Sequence, residues 1–156
     1  MTWADRLYRL AIGDPRREIA ERLSAVQQCS VAQQQRLANA AAQAPTASAE
    51  TELRALAARQ HELGAAVGRA LQGRGAVPAA IPGPPSNGAT RNHWARLVTA
   101  LEGARAARAQ LLRDTPRLLE LDAGLADLLR QLLAALDIEV VGLRAMIARA
   151  DPQAID

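Results

Sequence analysis

From Leu125 to Ile147 the chain reads LADLLRQLLAALDIEVVGLRAMI, with no proline in it. Leu125, Leu128, Leu129, Leu132, Leu136, Leu143, Met146 and Ile147 recur at helical spacing. This predicts a helix buried along most of one side. So wide an apolar stripe needs at least two further amphipathic helices to cover it.

The rest of the chain supplies them. At 156 residues it is one domain by length, large enough for a sizeable core. Apolar residues make up 49% but aromatics only 2%, with no Phe, so the core is built from Leu, Ala, Val and Ile. Alternating β-branched runs are absent, and the expectation is an all-α, antiparallel four-helix bundle with a short N-terminal helix.

All nineteen basic residues are Arg, interleaved with sixteen acids, and the whole chain has only three aromatic residues for base stacking. That pattern argues against nucleic-acid binding. Cys29 is the one cysteine, which excludes an intrachain disulfide and a cysteine-based metal site. The start, MTWADRLYRL, has charges where a secretion signal needs an apolar run. No apolar run approaches the roughly 20 residues of a membrane span. The expectation is a cytoplasmic, bacterial-type protein without membrane contact.

Taken in order, residues 1–13 predict a short helix with Trp3, Leu7, Leu10 and Ala11 on one face, folded back over one end of the bundle and stopped at Gly13. Asp14 and Pro15 then open a long helix over 15–43. Its stripe is Ile19, Leu23, Val26, Leu37, Ala40 and Ala41, interrupted by QQCSVAQQQ, where Ser30 and Gln33 take the stripe positions. Such a patch fits either an interior polar site or a partly exposed glutamine-rich helix.

Pro45 and Ser48 predict a short connection to an antiparallel second helix over 49–72. Leu53, Leu56, Gln60, Leu63, Val67 and Leu71 share one side of it. Ala57, Gly64, Ala65 and Gly68 form a small-residue strip beside them, with His61 on it, predicting close approach of another helix. Four of the eight prolines fall in residues 73–90, predicting a crossover loop along the bundle. A third helix follows over 91–113 with Trp94, Leu97, Val98, Leu101, Ala104 and Leu111 inward. Asp114-Thr115-Pro116 predicts a stop and restart, and Asp122 caps a last helix over 123–150.

The pattern H-E-L-x-x-x-V-x-x-x-L from His61 to Leu71, with the glycine-rich turn and Pro78 behind it, resembles the ferritin-like superfamily in its rubrerythrin-type form. Glu102 in the third helix and Glu139, seven residues after Leu132, are similar to acidic positions of that family. The resemblance implies two antiparallel helix pairs joined by a long crossover. It also implies a two-metal site built from one Glu on each of two helices and Glu-x-x-His on each of the others. Against that pattern His61, Glu102 and Glu139 fit, but Ala58 stands at one Glu place and Gly142 at one His place. The first helix offers Gln27, Gln28 and Gln33 instead of a carboxylate.

Three ligands could still hold one iron or manganese ion with an open position. In the plainer alternative Glu102 pairs with Arg105, Glu139 with Arg130 or an Arg of another helix, and His61 and His93 are packing residues. The expected function is therefore a non-catalytic, metal-free bundle with a structural or interaction role, as a homodimer or with a partner protein. The alternative is a ferritin-like metal-binding protein or oxidoreductase using His61, Glu102 and Glu139.

Overall fold

The computed structural model describes residues 2–4, 6–7, 13–77 and 92–150. Among these residues there is no strand, and four long helices pack together. They are α1 (Pro15–Ala42), α2 (Ala47–Gln72), α3 (His93–Leu121) and α4 (Ala126–Ala150), the last entered through a 3-10 turn, Ala123–Leu125.

Each start has its own side-chain cap. Gly13 takes a positive φ of 86°. Asp14 Oδ1 then accepts from the Arg16 N–H at 3.0 Å ahead of Pro15. Thr46 Oγ1, two residues before the expected Ser48, accepts from the Ala49 N–H at 3.2 Å. Asn92 caps α3 and Asp122 the 3-10 turn, each through its Oδ1.

The main departure from the sequence reading is α3, which passes through Asp114-Thr115-Pro116 without a break. Proline in a helix interior costs about 3 kcal/mol, because it removes an N–H and crowds the carbonyl four residues earlier. That carbonyl belongs to Leu112, which is 42% exposed and so lies on the outer side of the helix. Stopping at Arg113 would forgo the burial of Leu118, about 2 kcal/mol alone. It would also undo the pairing of buried Asp114, which accepts from Arg22 at 2.6 Å and from Gln110 at 2.7 Å. These gains outweigh the proline. The helix starts at His93 with Asn92 as its N-cap, two residues later than expected, and Trp94 lies 40% exposed instead of fully inward.

Side-chain pairs across the bundle give its topology. Arg22 meets Asp114 while Gln33 meets the Ala100 carbonyl, so α1 and α3 are antiparallel neighbours. Arg149 meets Glu52 while Gln60 meets Glu139, so α2 and α4 are too. Arg74 at the end of α2 pairs with Asp122 at the end of α3. Hence α2 and α3 point the same way, and the chain leaves one end at Val77 and re-enters at the other at Asn92. The expected crossover falls mostly on residues 78–91, outside the described residues. Of the expected N-terminal helix, only residues 2–4 and 6–7 are described, with Trp3 77% and Leu7 54% exposed.

The most extensive helix–helix contact is that of α1 with α2. A Cβ at Gly68 would lie 2.8 Å from Gln27 Nε2, and one at Gly64 3.6 Å from Ser30 Cβ, so the expected close approach is present. Ala65 and His61 are exposed and belong to the outer surface, not to this seam. The core is in two parts. One gathers Leu23, Val67, Leu71, Leu111, Leu118 and Leu132. The other gathers Leu37, Leu53, Leu97, Ala104, Leu143 and Met146.

At the first end Glu18 accepts from Arg117, through Nε and Nη2, and from Arg22. The Arg117 bonds, with those of Arg22, hold its carboxyl down at about 2 against an ordinary 4.5. A depressed carboxyl stabilises the fold above its unfolded value and loses that contribution as pH falls through the folded one. Denaturant midpoints should therefore fall as pH drops from about 4.5 towards 2, and Glu18→Gln should flatten that fall. An unchanged slope in the variant would mean that other carboxylates carry the acid sensitivity.

Candidate functional site

Between the two parts of the core lies a layer of buried polar side chains: Gln27, Ser30, Gln33, Gln60 and Glu139. Sequence places them there. Gln33 falls on the stripe of α1 between Val26 and Leu37, and Gln60 on that of α2 between Leu53 and Val67. Glu139 falls on that of α4 between Leu132 and Leu143. Each must turn inward if its apolar neighbours do.

Glu139 is the centre of the layer and is 2% exposed. Its Oε1 accepts from Gln33 Nε2 at 2.6 Å and its Oε2 from Gln60 Nε2 at 2.6 Å. Gln33 Nε2 gives its other proton to the Ala100 carbonyl at 2.7 Å. All four helices are thus joined at one level. Gln33 Oε1 accepts from Arg36 Nη1 at 3.3 Å. Burial pushes the Glu139 carboxyl above its ordinary value, opposed by the Gln60 and Gln33 amides and by the charge of Arg59. Helix α3 contributes bare backbone: a Cβ on Gly103 would lie 2.4 Å from Gln33 Oε1 and 2.7 Å from Arg36 Nη1. The glycine leaves Gln33 room to reach Ala100.

Beside the layer is a cavity of about 20 Å³, lined among others by Val26, Cys29, Ser30, Gln33, Gln60 and Leu136. That is room for about one water molecule and no larger ligand. Cys29 is a free, half-buried thiol on its wall.

The residues singled out from sequence fare unequally. Glu139 is inside, held by two glutamine amides rather than by Arg130, which pairs with Asp127. His61 and Glu102 are exposed, and the structure does not bring them to Glu139. Neither is Glu102 ion-paired with Arg105 among the described residues, and His61 is not a packed residue. Among the described residues no group of three His, Cys, Asp or Glu side chains could hold a metal ion. His93 opens α3 with its Nδ1 buried and unbonded, and burial, then Arg96, lowers its pKa. Gln60 and Gln27 matter more than sequence reasoning allowed. The signal for Gln60 was its place on the inner side of α2, one residue from the histidine that fitted a ligand pattern, and for Gln27 its place beside Val26 on the stripe of α1.

A scan against protein-family models found no match, and searches of curated proteins and of solved structures returned none either. No helix among the described residues is long and apolar enough to cross a membrane.

Glu139→Leu should cost about 2–4 kcal/mol, since two buried amides lose their acceptor. Glu139→Gln should cost under about 1 kcal/mol, because turning over the Gln60 amide restores a donor to each acceptor. A folded-state value raised above 4.5 means that the native state holds the proton longer than the unfolded chain. Stability carried by this group is therefore lost as pH rises through that raised value, and both variants should lack the loss. Denaturant titrations across the acid-to-neutral range check both. Equal costs for Leu and Gln would show that the amide bonds contribute nothing.

A second expectation concerns the glycines. Gly142→Ala, whose Cβ would meet only Leu56 Cδ1 at 3.9 Å, should stabilise the helix by up to roughly 1 kcal/mol. Gly103→Ala should lose that gain and more, by pushing Gln33 from Ala100. Thermal melts of the two variants side by side decide it.

Proposed function

We propose that this chain is a metal-free, non-catalytic bundle of ferritin-like type with a structural or protein-interaction role, working as a homodimer or with a partner protein. A cytoplasmic setting belongs to the same proposal. The topology supports the ferritin-like part, because antiparallel pairs with α2 and α3 running the same way are the arrangement that a long middle crossover produces. The observation that carries the functional part is the closure of Glu139. Both of its oxygens accept amide protons at 2.6 Å. An amide N–H cannot ligate a cation, so metal entry would have to expel both donors. The neighbouring charges, Arg36 on Gln33 and Arg59 near Glu139, are positive and disfavour a dication. The adjoining cavity is too small for an organic substrate.

The test is metal content after purification and after incubation with ferrous iron or manganese, for the wild type, Glu139→Ala and His61→Ala. Substoichiometric metal in all three is expected. Stoichiometric metal that is lost in either variant would overturn the proposal and restore the reduced metal site.

A further inference from the structure

The outward face of α4 differs from that of the other helices. Ala134, Ile138, Val141, Ala145 and Ala148 follow one another at steps of four and three, and all are exposed, Ile138 at 52% and Val141 at 67%. No charge lies on this line over four turns. The outward faces elsewhere carry them freely: Arg17 with Glu21 on α1, Arg54 with Glu50 on α2. Steps of four and three make a straight seam of the kind that pairs two helices. Three of its five residues are alanine, with Gly142 beside them, so another backbone can come close.

The charges along one edge of the seam say which helix fits. Asp137 and Arg144 are seven residues apart on the same edge. An identical helix laid antiparallel, about a two-fold axis near Val140, sets Ile138 against the copy's Val141 and Ala134 against its Ala145. The same rotation sets Asp137 against the copy's Arg144, and symmetry repeats the pair. A parallel copy would instead bring Arg144 towards Arg149, like against like. Arg144 has no carboxylate partner among the described residues, whereas Asp137 engages Arg108 through Oδ1 and stays half exposed. The face is complementary to itself.

We propose that two copies of this chain associate through α4, antiparallel, with Ile138 and Val141 at the centre and reciprocal Asp137–Arg144 pairs at the edge. This rests on the interaction role proposed above and names its partner as a second copy.

Sedimentation equilibrium of the full chain over a wide concentration range tests it, with circular dichroism to check folding and metal content measured on the same samples. The wild type should dimerise reversibly. Val141→Glu, at a position exposed in the single chain, should weaken dimerisation by about a hundredfold or more, since it buries an unpaired charge. Arg144→Asp should weaken it about tenfold, and Asp137→Arg with Arg144→Asp should recover to within about threefold of wild type. A wild type that is monomeric throughout, or a dimer indifferent to Val141→Glu, would overturn the inference. A failed charge-swap rescue in a folded double variant would overturn the antiparallel pairing. A metal-free monomer refutes the dimer and leaves the interaction role standing, whereas a metal-loaded protein refutes that role whatever its oligomeric state.

Discussion

One buried carboxylate sets the conditions for the rest of this bundle. A charged or even a neutral carboxyl is costly inside an apolar core, and Glu139 is tolerated because amide N–H groups from two other helices meet both oxygens. Those amides must arrive at one level, which sets how α1, α2 and α4 stand along the axis. The Ala100 carbonyl ties α3 to the same level through Gln33. A slide of any one helix by a turn would leave Glu139, or an amide that serves it, buried without a partner. The apolar clusters on either side are mostly leucine and alanine, which pack in many registers at similar cost. Register comes from the polar layer, and bulk stability from the leucines.

The two ends are fastened differently. At one, Arg22 and Arg117 of α1 and α3 enclose Glu18 and Asp114, and Arg74 holds Asp122 where α2 and α3 finish together. At the other, the pair of Arg149 with Glu52 is largely exposed and contributes little. The first end is therefore the one sensitive to acid, and it is also where α3 continues through Pro116. The same Asp114 that looked like a helix stop is an acceptor the helix needs. A local signal for termination was outweighed by an ion pair 92 residues away in the chain.

These features fit the interaction role proposed above for the bundle. Among the described residues, the polar layer inside it has closed hydrogen bonds and beside it a cavity of about one water's size. On the outside, the described face of α4 is apolar along its centre and charged along its edge.

Much was legible in the chain before folding. The leucine stripe of α4, the stripes of α1 and α2, the caps at Asp14 and Asp122 and the glycine seam at Gly68 all follow from local periodicity and backbone chemistry, and they stand in the structure. Helical content is a property of short-range spacing, so sequence determines it directly. Which polar residues face inward is another matter. His61 and Gln60 are adjacent and therefore about 100° apart on the helix, and only the position of α4 decides that the amide points at a carboxylate while the imidazole points at water. Glu102 and Glu139 likewise look alike in the sequence, yet one is solvated and the other is the centre of the core. The cost of burying a polar group depends on donors supplied by other helices. That is a long-range quantity, and only the tertiary structure sets it.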